Sequence, residues 1–300
     1  MKKNYKCIII GSGVAGMTAA IYLNRLNVDT LIIEAKIPGG QIVNTSIIEN
    51  YPGFNKIDGA TLALNINNQV KNLGIPYLYE NVKKIILKDD KKIVITDTQK
   101  ITCDYIIIAS GRIPNKLNIP QEEEYLGRGI SYCAICDGLL YKNKEVIVVG
   151  GGNSAIEESL YLAKICKKVV ILNRSDKLKA DSYLIKKIQQ LKNVEIKYNS
   201  EIKKLKIENN QIKGVYLKTN EEIKAEGIFI FIGLTPKLDY LKGINIEIEK
   251  NYLKVNKNME TNINNIYASG DVIKKDVYQI TTAIGEATVA AVNIARKVRR

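Results

Sequence analysis

The chain has 300 residues, 46% of them hydrophobic and 25% charged, which suits a folded enzyme with one large core or two medium ones. No apolar run reaches the length of a bilayer span, since runs such as 8–10 and 146–149 end at glycines, so no membrane partner is expected. The net charge of +14 raises nucleic-acid binding, but the lysines are scattered beside Asn and Ile without the arginine–aromatic clustering of a binding groove, and no nucleic-acid partner is expected.

In chain order, residues 1–6 run straight into a strand with no signal-peptide pattern, which points to the cytoplasm. Residues 7–10 read as that strand, 11–16 as a glycine turn, the next stretch to 23 as a helix, and 30–33 as a second strand. Residues 82–95 read as a hairpin with its turn at Lys88, Asp89, Asp90 and Lys91, and 101–109 as an isoleucine-rich strand. The strand–turn–helix–strand pattern then repeats at 146–149, 150–155, on to 162, and 168–172. Strands follow over 194–217, broken at Asn209 and Asn210, then a strand at 263–270 and a helix at 281–298. Two βαβ units in one chain predict an α/β fold with two Rossmann-like domains. The second unit lies mid-chain. The predicted layout is one discontinuous domain, 1–112 and 245–300, with a second inserted at 113–244.

Each glycine turn fits a dinucleotide fingerprint. Gly11-Ser12-Gly13-Val14-Ala15-Gly16 is G-x-G-x-x-G between strand and helix, and Glu34 closes the next strand, where a carboxylate can accept ribose hydroxyls. Gly150-Gly151-Gly152-Asn153-Ser154-Ala155 repeats the pattern with alanine last. At the position matching Glu34 it carries Asn173, followed by Arg174, with Lys177 and Lys179 nearby. Losing the acid removes repulsion of a 2′-phosphate, and Arg174 could pair with one. The pattern predicts FAD at the first turn and NADPH at the second.

Five cysteines occur, and histidine is absent. The missing histidine removes histidine triads, histidine metal ligands and a histidine acid–base group. Cys133-Ala134-Ile135-Cys136 admits structural zinc, an inert buried pair or a redox dithiol. Zinc needs four ligands, and no second pair or histidine supplies them, so no metal is expected. The redox reading is favoured because two-electron carrier sites flank the pair in sequence. Asp137 directly follows and is the candidate proton shuttle, with helix capping as its alternative role. Cys7, Cys103 and Cys166 fall in apolar patterns and read as buried bystanders.

With these residues in place, nearly the whole chain resembles the low-molecular-weight thioredoxin reductases. The resemblance adds Pro38-Gly39-Gly40-Gln41, Glu49-Asn50-Tyr51-Pro52-Gly53, Ala109-Ser110-Gly111, Gly127-Arg128-Gly129 and Ala268-Ser269-Gly270-Asp271 to the motifs above. It implies a homodimer with FAD and NADPH in each subunit. It implies FAD contacts at Gly11 to Gly16, Glu34, Ala35, Gly39, Gly40, Gln41, Thr45, Asn50 and Val82. It implies further ones at Gly111, Gly270 and Asp271, with Tyr278, Gln279 and Ile280 against the flavin. It implies NADPH contacts at Gly150, Gly152, Asn153, Ser154, Ala155, Asn173, Arg174, Ser175 and Lys179. Cys136 would take electrons from the flavin, Cys133 would exchange with the disulfide of thioredoxin or a thioredoxin-like protein, Asp137 would be the acid, and Arg128 would touch thioredoxin. The family rotates one domain against the other, which here implies hinges near 113–116 and 243–247.

Three departures from the family pattern matter. Its His-Arg-Arg with a later Arg reads Asn173-Arg174-Ser175 with Lys179, which weakens the case for NADPH over NADH. Its Arg or Lys at 278 is Tyr. Its Thr inside the dithiol is Ile135. The runner-up reading is a related reductase, fed by NADH or another donor, of a peroxiredoxin-linked or glutaredoxin-like carrier. Ferredoxin–NADP reductases of the same fold normally lack the dithiol. A flavin-bound redox sensor would show a damaged fingerprint, and neither is damaged.

Overall fold

The computed structural model describes residues 2–45, 47–88 and 91–299. Met1, Ser46, Asp89, Asp90 and Arg300 lie outside the described residues, so the start of 1–6 and the centre of the expected 88–91 turn do too. Lys88 and Lys91 pair at its flanks.

The chain forms two compact units. One takes the chain up to Ile113 and again from Thr235, and the other spans Pro114–Leu234. The expected return at 245 comes earlier because Tyr240 and Leu241 are buried in the core of the first unit with Ile85 and Val94. The Tyr240 hydroxyl also lies 2.9 Å from Ser110 Oγ. The second chain crossing is therefore at 234–235, upstream of the expected 243–247.

In the first unit, Asn4–Ile10, Val14–Arg25 and Thr30–Ile33 form the expected strand, helix and strand. The sheet runs in the order Tyr77–Leu78, Thr30–Ile33, Asn4–Ile10, Lys100–Ile108, Lys91–Thr96, Val82–Lys88, with Ile266–Ala268 also pairing with Lys100–Ile108. The strands around Asn4–Ile10 are parallel, and the 82–96 hairpin adds antiparallel. Parallel strands covered on both faces require apolar residues at every position, which explains the unbroken Ile8-Ile9-Ile10 and Ile106-Ile107-Ile108. Each such isoleucine contributes about 1.5–3 kcal/mol when fully buried. Helices Val14–Arg25 and Ile280–Val298 pack together, and their small residues Ala19, Ala20, Ala287 and Ala291 are all buried in one core.

The strand expected at 263–270 is shorter, because Asn265 takes a left-handed φ of 64° and Ile266 N–H bonds back to the Ile263 carbonyl. Helix Gly59–Asn72 has no counterpart among the expected elements. It starts at Asp58, whose carboxylate accepts the Thr61 N–H at 2.8 Å, and hydrogen bonds from the Thr61 side chain and then its N–H hold the Asp58 carboxyl below its usual range.

The second unit has a parallel sheet in the order Val194–Lys197, Lys168–Leu172, Glu145–Val149, Gly227–Ile230, Ile130–Ser131. Helix Asn153–Leu162 follows the second glycine turn. Ile202–Glu208, Gln211–Leu217 and Glu222–Lys224 form a separate antiparallel sheet. Its first turn is Asn209-Asn210, both left-handed at 49° and 60°, the backbone a two-residue hairpin needs. Among the described residues no helix is long and apolar enough to cross a membrane.

Candidate active site

The first glycine turn is built to present backbone. Gly11 has φ +100°, and a Cβ there would sit 2.5 Å from the Ala109 carbonyl oxygen. Helix Val14–Arg25 begins at Gly13 with no side-chain cap and no acid in its first turn. Val14 and Ala15 bury their side chains, so the helix start offers N–H groups and partial positive charge alone. Gly39 N–H donates to the Ser12 carbonyl, laying the Gly39-Gly40-Gln41 turn beside this loop. Glu34 is fixed by three bonds: Ser12 N–H and Ser12 Oγ, each at 2.7 Å, and Lys36 N–H at 2.8 Å.

Other expected residues of the first unit fall at linked points. Asn50 Nδ2 donates to Gln279 Oε1 at 3.3 Å, and Gln279 caps helix Ile280–Val298 reciprocally with Thr282. Thr45 accepts the Gly59 N–H. Gly270 N–H donates to Glu286, and Asp271 pairs with Arg112. Ala35 is exposed just past Glu34, and Val82 is half-buried at the start of its strand.

The second turn repeats the first. Gly150 has φ +140°, and a Cβ would sit 2.2 Å from the Phe231 carbonyl oxygen. Gly152 starts helix Asn153–Leu162 without a side-chain cap, and nothing lies within 4 Å of where its Cβ would be. The 173–181 segment folds back onto this turn. Lys179 N–H donates to the Gly151 carbonyl at 2.7 Å, and Asn153 and Asp181 exchange two hydrogen bonds.

Asn173 turns into its own loop. It is 5% exposed, and its amide donates to the Ser175 and Lys177 carbonyls. It shapes the loop that leaves Arg174 and Lys179 exposed. Ser154 is exposed and Ala155 is buried. Sequence reasoning missed Glu158 on the same helix, whose carboxyl is pushed up to about 7 by burial, with the Glu157 charge adding to it.

The dithiol lies in the same unit. Cys133 and Cys136 are disulfide-bonded, their Cα atoms 5.4 Å apart, at the short helix Ala134–Asp137. Cys133 caps that helix, and its sulfur accepts the Cys136 N–H at 3.1 Å. Such a bond stabilises negative charge on sulfur. Asp137 is held from below. The buried Ser131 hydroxyl donates to Asp137 Oδ2 at 2.6 Å and accepts the Cys133 N–H at 3.0 Å. Ser131 therefore ties the acid to the backbone of the first cysteine, a role that a lone strand serine does not announce in sequence. Two helical-turn residues beyond, Leu139 and Leu140, are each 66% exposed. Sequence reasoning missed them as well, although adjacent leucines after a polar turn were a legible signal.

Arg128 lies over the Tyr125 ring at 5.7 Å, in the segment leading to the dithiol. The other cysteines are buried. Burial pushes the Cys7 thiol well up, Cys103 up to about 12 and Cys166 up to about 11, which keeps all three un-ionised and unreactive.

A family model described as pyridine nucleotide-disulphide oxidoreductase matches residues 5–287. A thioredoxin reductase of Bacillus subtilis (strain 168) is 41% identical over 298 residues, covering 98% of this chain and 94% of the relative. A 34.2 kDa protein in a rubredoxin operon of Clostridium pasteurianum is also 41% identical, over 296 residues, covering 97% of this chain and 96% of the relative. The crystal structure of Lactococcus lactis thioredoxin reductase in its FR conformation matches with a TM-score of 0.90 at 40% identity, covering 98% of this chain and 99% of that one. The chain belongs to the pyridine nucleotide-disulphide oxidoreductase family, among its low-molecular-weight thioredoxin reductases.

Proposed function

We propose that the chain is a thioredoxin-disulfide reductase that draws electrons from NADPH through FAD to the Cys133–Cys136 pair. One observation carries this reading: the pair, its acid Asp137 and the second dinucleotide turn share one unit. We assign FAD to the unit containing Gly11 and NADPH to the unit containing Gly150, and expect a cytoplasmic homodimer.

The residues present fit both groups. Each turn offers an uncapped helix start for a pyrophosphate. Glu34 stands fixed where a ribose hydroxyl needs an acceptor, and Arg174 with Lys179 stands where a 2′-phosphate needs cations. When bound, FAD supplies the two-electron link between the nicotinamide and the disulfide.

The dithiol chemistry then belongs to this chain. In the reduced pair, the Cys133 thiolate, stabilised by the Cys136 N–H, attacks a sulfur of the partner's disulfide. A Cys133–partner bond forms, the partner's S–S bond breaks, and one partner sulfur leaves as thiolate. Cys136 then attacks the Cys133 sulfur, closing the Cys133–Cys136 bond and releasing the second partner sulfur. Asp137 takes the Cys133 proton as that thiolate forms and hands it to the first leaving sulfur, then takes the Cys136 proton as Cys136 attacks and hands it to the second. Its Oδ2 is engaged by Ser131, which leaves Oδ1 to carry that proton.

Leu139 and Leu140 offer the partner an apolar foothold beside the dithiol. Leu139→Asp is expected to raise KM for thioredoxin roughly tenfold, with nicotinamide-driven flavin reduction unchanged. Steady-state kinetics against thioredoxin concentration check this, and an unchanged KM contradicts it.

Arg174→Ala is expected to raise KM for NADPH roughly tenfold and leave NADH unaffected, because a charge-assisted phosphate contact is lost. Equal losses on both nucleotides would place Arg174 outside the phosphate site. Steady-state rates of the native protein with each nucleotide and thioredoxin test the whole reading. NADPH is expected to be the better donor, and a strong NADH preference sinks the NADPH assignment.

A further inference from the structure

Arg112 follows Gly111 in the turn after strand Lys100–Ile108, and no sequence motif singles it out. Three segments expected to hold FAD nevertheless converge on it. Its guanidinium Nη2 lies 2.6 Å from Asp271 Oδ2. The Tyr278 ring lies beneath it, with 4.2 Å between Cζ and the ring centroid. Its carbonyl accepts Gln41 Nε2 at 3.0 Å.

The side chain is 18% exposed. Its Nε–H is buried and has no acceptor among the described residues. A buried donor without an acceptor is costly, and the cost is removed where a ligand brings an oxygen.

Lys275 does not take this role. It is held by Glu286 at 2.9 Å and reaches Asp271 only at 3.7 Å. The close partner of Asp271 is therefore Arg112. The family resemblance implies a cation at position 278, and this chain has Tyr there. The ring that replaces the cation instead carries the Arg112 guanidinium on its face at 4.2 Å, with Lys275 Nζ farther off at 5.3 Å.

We propose that Arg112 supplies the cation of the FAD site, with its Nε–H directed to an oxygen of the bound dinucleotide and Tyr278 and Asp271 as its platform. Arg112 is thus a cofactor-binding residue of this chain, and the exchange of Arg or Lys for Tyr at 278 is compensated from position 112. This rests on the FAD reading above.

The test is FAD affinity, measured by flavin fluorescence on serial dilution of the purified holoprotein, with melting of the flavin-stripped proteins alongside. Arg112→Ala is expected to raise the FAD dissociation constant roughly tenfold or more while the stripped protein melts as the native one does. Adding Tyr278→Arg to Arg112→Ala is expected to restore most of the lost affinity. If Arg112→Ala does not fold, Arg112→Gln reads the same quantity, with the same loss expected. Unchanged affinity in the single variant overturns the role of Arg112. So does a loss that Tyr278→Arg fails to repair when the stripped variant also melts earlier. A native protein that carries no FAD overturns the FAD reading first and this assignment with it.

Discussion

Cys136→Ser is expected to abolish protein-disulfide reduction, lowering it by at least about a thousandfold, while the nicotinamide still reduces the flavin at its native rate. The two activities separate because the pair is a relay with ordered roles. Cys133 carries the stabilising N–H bond on its sulfur, and in the proposed order it is the one that meets the partner. Without Cys136 the mixed disulfide between Cys133 and the partner has no internal thiol to resolve it. Cys136→Ser should therefore trap that complex, visible as a covalent adduct on a non-reducing gel. Flavin bleaching by NADPH and thioredoxin turnover, followed in one spectrophotometric experiment, check the separation. Loss of both activities would contradict the electron order proposed here. The buried Cys7, Cys103 and Cys166 cannot substitute, because burial holds their thiols un-ionised.

Asp137→Asn is expected to slow thiol–disulfide exchange about a hundredfold or more, within the range of general acid–base effects, without lowering the melting temperature. The amide keeps the shape of the carboxyl and can still accept the Ser131 hydroxyl, so the short helix keeps its support. What it loses is the capacity to hand over a proton. Ser131→Ala removes the tether and leaves the acid, so its effect should be smaller, about tenfold. Stopped-flow mixing of the reduced enzyme with oxidised thioredoxin measures both. A native rate in Asp137→Asn would assign the proton to water and leave Asp137 only its bond to Ser131.

Most of the frame of this chain was legible in its sequence, for a physical reason. Strands buried on both faces cannot hide: Ile8-Ile9-Ile10 and Val146 to Val149 must be apolar throughout, and the turns after them must be glycine where backbone approaches backbone. Asn209-Asn210 was legible because a two-residue hairpin needs left-handed φ at both positions. Helix Gly59–Asn72 was not, because four asparagines lower its propensity and only its packing, through Leu62, Ala63 and Val70, decides the matter. The return point at Thr235 was hidden similarly, since Tyr240 and Leu241 declare their allegiance only by the core they enter.

The candidate site divides along the same line. Motif residues with fixed spacing, such as the glycine turns and Cys133–Cys136, could be read directly. Residues that act through distant partners could not. Ser131 meets Asp137 across a turn, and Arg112 meets Asp271 and Tyr278 across most of the chain. The family resemblance, not the alignment with Glu34, implies a nucleotide contact at Asn173. The structure turns its amide onto the carbonyls of its own loop, which leaves Arg174 and Lys179 to face outward.

We propose that dinucleotide electrons open the Cys133–Cys136 bond and leave through it to a protein disulfide. Anaerobic addition of NADPH to the native protein, followed by alkylation and mass spectrometry, tests this directly. Alkylation is predicted at Cys133 and Cys136 alone, and prior addition of oxidised thioredoxin should erase it. A flavin fully reduced by NADPH with Cys133 and Cys136 still bonded would contradict the account.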